Sequence, residues 1–284
     1  PKDWNKKMLN DEHFKILFYE QDSSKVFSNT DIKGGVVVSY RNNAQVYGAI
    51  ETFTPYNELN SILKKVIKTN GFSSLMDIVY IQNRYNLNML YQDNPDCKKL
   101  IGSNGKDSRF EKNCFAKMPV FTSHESIDSV KTLGVFENKR TWRFISQKYV
   151  DRKHENLEKY KVVMPVANGS GEFGQVLSTP FVSKPNEAYT RSFIGIGAFK
   201  EITSAEALLK YLKGKFARAM LGVLKVTQMN NKDVWEYVPW QNFTSTSDID
   251  WSKSIPEIDQ QLYKKYGLTP DEIKFIETHV KEMK

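Results

Sequence analysis

The stretch from Lys159 to Val226 reads KYKVVMPVANGSGEFGQVLSTPFVSKPNEAYTRSFIGIGAFKEITSAEALLKYLKGKFARAMLGVLKV, and it decides the class of fold. It opens with an apolar run short enough for a buried strand, which feeds a glycine-rich loop. Ser192 to Phe199 is a second such run. Leu208, Leu212, Phe216, Met220 and Val223 then recur at helical spacing and form one apolar stripe. Strand, loop, strand and amphipathic helix in succession predict an α/β chain of the mixed, α+β kind. Thr203-Ser204-Ala205-Glu206 fits a capping box, which would start the helix there. Lys210, Lys213, Lys215 and Arg218 lie off the stripe and read as its solvated face.

Gly169, Gly171 and Gly174 spell G-x-G-x-x-G, and Val176 extends the match to the loop that covers phosphates in kinases. The context argues against a nucleotide. A dinucleotide fingerprint needs a helix to begin at the third glycine, so that its N-terminus holds the pyrophosphate. Pro180 and Pro185 follow instead, and proline breaks a helix. A kinase would also need an H-R-D loop and a D-F-G metal site, and neither is present. Two readings stay open: a surface turn that uses glycine for positive φ, or a loop lying close to a phosphate or base edge.

Around this stretch the composition is that of a globular chain. Its mean hydropathy is −0.53, and no apolar run approaches the roughly 20 residues of a membrane helix. The polar start, PKDWNKKMLNDEH, does not resemble a signal peptide, and without an initiator methionine it reads as part of a longer protein. Cys97 and Cys114 give neither a disulfide framework nor a zinc site, and the four histidines are scattered. A reducing, cytoplasmic location is expected. Of the net charge of +8, all the excess lies between Lys98 and Lys232. Residues 98–161 carry 15 basic and 8 acidic groups, and residues 184–232 carry 9 and 3. Clustered positive charge is the footprint of a polyanionic partner.

Before the central stretch, His13 to Tyr19 and Ile32 to Asn42 read as strands, with Val36 to Val38 as a continuous buried run. Leu59, Ile62, Leu63, Val66 and Ile67 make a helical stripe. Leu75 to Leu90 carries a helix or a strand, and IGSNGKDSRF, Ile101 to Phe110, is a basic loop. Leu133 to Ile145 reads as a hairpin turning at Asn138-Lys139, with Trp142 inward and Arg140 and Arg143 sharing the opposite face. After it, Ile255, Ile258, Leu262 and Tyr266 form a stripe stopped by Gly267. Thr269-Pro270-Asp271-Glu272 starts a second helix, so residues 251–284 read as a helical hairpin.

The run KILFYEQDSSKVFSNTDIKGGVVVSYRN resembles the end of the catalytic domain of adenine-specific DNA methyltransferases, above all the fused restriction–modification enzymes of types IIG and ISP. The match falls on Val26, Phe27, Ile32, Lys33, Gly34, Gly35 and Val36. IGSNGKDSRF, Lys159–Phe243 and DWSKSIPEIDQQLYKKYGL resemble the target-recognition part of those proteins. The family's F-x-G-x-G and Asn-Pro-Pro-Tyr/Phe motifs are missing. The resemblance therefore implies residues 1–70 as the last piece of the methyltransferase sheet, 71–250 as a DNA target-recognition domain and 251–284 as the helical hairpin. It implies double-stranded DNA as partner, together with a methyltransferase domain, with or without a nuclease domain, encoded upstream. S-adenosylmethionine would be held by the parent enzyme, and no cofactor is expected on this chain.

The candidate DNA-contacting residues are Asn104, Lys106 and Arg109 on the basic loop, Arg140 and Arg143 on the hairpin, Lys148 just after it, Asn168 and Ser170 in the glycine loop, and Arg191. No catalytic or metal residue is expected on that reading. Two alternatives come from other classes. Pro95-Asp96 with Glu137-Asn138-Lys139 matches a P-D…E-x-K nuclease pattern, in which two carboxylates hold Mg²⁺ and a lysine polarises the attacking water. The other is a protein-interaction module whose basic face is merely solvated.

Overall fold

The computed structural model describes residues 2–20, 22–30, 32, 35–100, 110, 113–169 and 171–283. The elements run α1 (Lys2–Leu9), β1 (Phe14–Glu20), β2 (Val36–Arg41), α2 (Asn57–Lys68), β3 (Val79–Tyr80), α3 (Leu87–Asp93), α4 (Cys97–Leu100), α5 (Cys114–Lys117), β4 (Ser129–Phe136) and β5 (Lys139–Ser146). They continue with β6 (Tyr160–Pro165), β7 (Phe181–Ser183), β8 (Glu187–Tyr189), β9 (Phe193–Phe199), α6 (Ile202–Lys213), α7 (Lys215–Leu221), α8 (Ile255–Lys265) and α9 (Pro270–His279). The chain is α+β.

The layers follow from strand parity. The central sheet has the order β3-β9-β6-β7, with β6 antiparallel to both neighbours. Alternate side chains point to opposite faces. Val162 and Met164 of β6, with Ile194 and Ile196 of β9, face the helices and share a core with Leu208, Leu212, Phe216, Met220 and Ile276. Val163 and Phe193 face the other way and pack with Leu133 and Tyr189 of the second sheet, ordered β5-β4-β8. That sheet's outer face carries Val130 and Ile145, packed with Phe115, Phe121, Tyr85 and Leu90 under α3 and α5. β6 and β9 are buried on both faces, which is why each reads as a continuous apolar run.

Helix α2 and the α8–α9 hairpin belong to the same core. Leu59, Ile62 and Val66 join Ile258, Leu262 and Ile276, and the Lys65 Nζ–Glu272 Oε2 ion pair closes at 2.6 Å. The core therefore runs across positions 70 and 250. Thr269 and Glu272 form a capping box at the start of α9, with Pro270 in its first turn, and Gly267 takes φ +60° after α8.

Several local expectations give way. Helix α6 starts at Ile202, before Thr203, and its N-cap Glu201 makes no side-chain cap bond. Tertiary packing outweighs the capping signal, because Ser204 and Ala205 are buried. The expected single helix is two: Gly214 breaks it, and the buried Asp259 carboxylate of α8 accepts from the amides of Lys215 (2.8 Å) and Phe216 (3.0 Å) at the start of α7. Asp259 thereby caps α7 from another element. Arg218, expected on a solvated face, is buried. The hairpin turn falls at Glu137-Asn138, both with positive φ (48° and 60°). Val37 and Val38 are exposed, at 54% and 49%, because β2 pairs only with β1 in a two-stranded sheet. The Leu75–Leu90 segment is neither one helix nor one strand; it holds a 3-10 turn, β3 and the start of α3.

Candidate nucleic-acid interface

The three-stranded sheet carries basic groups at both ends. β8 runs parallel to β4, pairing Lys131 with Glu187 and Leu133 with Tyr189. Arg191 follows β8 and so lies toward the β4–β5 turn. There the guanidinium of Arg140 sits 5.8 Å from the ring centre of Phe193, and Lys139 opens β5. The other end holds Lys148, Arg152, Lys153, Lys159 and Lys184. Arg152 ties that end together, donating to Gln147 Oε1 and Asn186 Oδ1 (both 3.3 Å) and pairing with Glu158.

Beneath this second end, Lys161 occupies a strand position that faces apolar neighbours and is fully buried. Its amine donates to the carbonyls of Lys184 (2.8 Å), Lys159 (3.1 Å) and Leu157 (3.3 Å). Burial pushes the Lys161 ammonium down to about 7, against the attraction of Glu187 and Glu158. The amine staples two surface loops, holding the backbones at Lys159 and Lys184 together.

The expected contact residues divide. Asn104, Lys106, Arg109 and Ser170 lie outside the described residues. Arg191 is exposed. Arg143 lies 5.1 Å from the ring centre of Phe136. It does not share a face with Arg140: residues at odd separation on a strand point to opposite sides. Arg140 shares its face with Trp142, and its two Nη atoms donate to the carbonyls of Ser178 and Thr179 at 3.0 Å. Lys148 pairs with Asp93 Oδ2 at 2.6 Å. Asn168 is buried; its Nδ2 donates to the Val176 carbonyl at 2.8 Å and its Oδ1 accepts from Ser178.

Many other central cations are occupied. Lys131 pairs with Glu187, and Lys215 with Glu277. Lys210 binds the carbonyls of Trp251, Ser252 and Lys253, and Lys225 those of Asn168 and Thr227. Among the described residues, Lys139, Arg143, Lys153, Lys159, Lys184 and Arg191 have no acidic group within ion-pair reach. The sequence marks Lys153 only as part of the basic run after the hairpin, and it does not single out Lys159 or Lys184. The local excess of basic residues is visible there, but the meeting of the Lys159 and Lys184 loops depends on the Lys161 amine.

The glycine loop packs on the chain's own backbone. Gly171 has φ +96°, and a Cβ there would lie 2.5 Å from Thr227 Cα; Gly174 has φ +73°, and its Cβ would lie 2.8 Å from Val280 Cα. The glycines are required by close backbone approach. Residues 175–180 after the loop are not helical. Arg218 holds the loop from beneath, donating to the carbonyls of Gly174 (3.4 Å) and Gln175 (3.3 Å) and to Lys281 of the C-terminal segment (2.5 Å).

For the nuclease alternative, Glu137 occupies a left-handed turn position and Asp96 immediately precedes α4. Among the described residues, no group of three or more His, Cys, Asp or Glu side chains is placed to hold a metal ion, and no helix is long and apolar enough to cross a membrane.

No protein-family model matches the chain, and no curated protein is detectably similar to it.

Proposed function

We propose that this chain is the DNA-reading part of an adenine-specific restriction–modification methyltransferase, acting in the cytoplasm, with the cofactor and catalytic loops on polypeptide outside this sequence. One observation carries the reading: Lys139 and Arg191 at one end of the β5-β4-β8 sheet, and Lys153 and Lys184 at the other, are exposed and have no acidic partner among the described residues. β4 has eight residues, so the two groups are about 23 Å apart at roughly 3.3 Å per residue. That spacing suits a duplex lying along the strands, gripped through its phosphates at two places. The basic loop of Lys106 and Arg109 adjoins the same segment in sequence. Phosphate contacts position the protein, and base-edge contacts from Arg143 or Arg191 would supply specificity.

The β1–β2 hairpin adds support. Two strands alone are marginally stable, and Leu17, Phe18, Val37, Val38 and Tyr40 are all exposed. Such a surface suits coverage by the remainder of a larger sheet. The test is duplex binding by fluorescence anisotropy across a salt series, without added metal. Affinity that falls steeply with salt supports a DNA reader. Plasmid cleavage in Mg²⁺ would favour the nuclease, and salt-independent or absent binding would leave the interaction module.

A further inference from the structure

Between the β1–β2 hairpin and the helical core lies a cavity of about 420 Å³. Phe14 and Ile16 of β1, Tyr56 and Phe173 line it, and Val223 and Lys225 belong to the same lining. The volume falls in the range of about 300–1,000 Å³ typical of small-molecule pockets. Its walls are mainly apolar and aromatic, which suits an apolar body.

Lys225 supplies the second, independent observation. It is only 7% exposed, and its ammonium donates to two carbonyls, Thr227 (2.9 Å) and Asn168 (3.2 Å). Among the described residues no carboxylate lies within ion-pair distance of it. Two neutral carbonyls leave one donor and a full positive charge uncompensated. A buried cation of this kind is ordinarily paired. An anion inside the cavity would provide the missing charge and meet the third N–H.

We infer that this cavity is a binding site for a small amphipathic organic anion, whose apolar body lies between the hairpin and Phe173 and whose acidic head meets Lys225. The head group sets the class: a carboxylate or sulfonate is favoured over an alcohol or an ammonium of the same chain length. Desolvation holds the Lys225 ammonium below its usual range, and a bound anion would raise it again.

The experiment is calorimetric titration of the whole chain with laurate, kept below micelle formation, against dodecanol and dodecyltrimethylammonium. The expected result is one saturable laurate site per chain, with at least tenfold weaker binding of both controls. Lys225→Met should weaken laurate at least tenfold, and Lys225→Arg should largely restore it. Ser39→Trp, at an exposed strand position lining the cavity, should block binding while leaving the thermal midpoint near the parent's. Ser39→Trp keeps the question answerable if Lys225→Met does not fold. Equal binding of laurate and dodecyltrimethylammonium, unchanged binding in Ser39→Trp, or no saturable site would overturn the assignment.

Discussion

Arg218→Met tests what holds the glycine loop. The guanidinium makes five hydrogen bonds, all to backbone carbonyls: Lys213 (3.1 Å), Gly214 (3.3 Å), Gly174 (3.4 Å), Gln175 (3.3 Å) and Lys281 (2.5 Å). These belong to the α6–α7 junction, the glycine loop and the C-terminal segment. Among the described residues no carboxylate pairs with it, and burial lowers it to about 10. A bond from a charged donor contributes about 1.5–3 kcal/mol. The five do not sum, because desolvating the guanidinium offsets much of the gain. Gly174 also keeps a donor after substitution, since its carbonyl accepts from Lys281 N at 3.0 Å. Methionine preserves the apolar stem, so the loss is set by the unpaired carbonyls and comes to about 3–5 kcal/mol. In a chain of this size that lowers the thermal midpoint by about 6–15 °C. Arg218→Lys, with three compact donors instead of a planar fork, should fall between. The assay is thermal unfolding backed by urea titration. A midpoint for Arg218→Met within about 2 °C of the parent's would refute the idea that this residue ties the three segments together.

Further outcomes follow from single groups. Burial pushes the Glu272 carboxyl up, but bonds from Lys65, Thr269 N and Ser61 outweigh it and leave it below its ordinary value, so its stabilisation is present above the unfolded value and lost as pH falls through the depressed one. Glu272→Gln should cost about 1–2 kcal/mol at pH 7, and the cost should shrink as pH falls through the depressed value, read by urea unfolding; a cost independent of pH would contradict this. The unfolded chain keeps the Lys161 proton up to about 10.4, whereas the folded chain gives it up near about 7. Stability should therefore rise with pH between those values in the parent, and Lys161→Met should lack that slope; identical slopes in the two proteins would exclude a buried, depressed amine. Glu137 is held at φ +48°, so Glu137→Gly should stabilise by about 0.5–1 kcal/mol, read as a higher urea midpoint, and a loss would show that the side chain makes contacts that outweigh the strain.

What the sequence makes legible is whatever depends on local pattern. The stripes of α2, α8 and α9, the Thr269–Glu272 box and the two buried strands around the glycine loop are all readable, because periodicity and capping are encoded within a few residues. The break at Gly214 is not, since the cap on α7 comes from Asp259, 44 residues beyond Lys215 in another helix. The parallel pairing of three-residue β8 with β4 is not either, because nothing local distinguishes it from a loop. The same limit governs the site. Exposed and buried cations look alike in a charge count: Arg218, Lys225 and Lys161 contribute to the central excess, yet each is buried against carbonyls. Conversely, Lys159 and Lys184 gain interest only from the loops that converge on the Lys161 amine.

On the proposed function, the two basic ends of the β5-β4-β8 sheet grip DNA. Duplex binding should be measured by anisotropy over a salt series for the parent, for Lys153→Ala/Lys184→Ala and for Lys139→Ala/Arg191→Ala, with Lys106→Ala and Arg109→Ala beside them. Removing one cation from a phosphate should flatten the log–log salt slope by roughly 1, so each double variant should flatten it by roughly 2, and Lys106→Ala by roughly 1 on all sequences alike. Arg109→Ala should cost about 1–3 kcal/mol on a cognate site alone. A parent that binds duplex with no salt dependence, or double variants that keep the parent's affinity and slope, would contradict the assignment of this sheet to DNA.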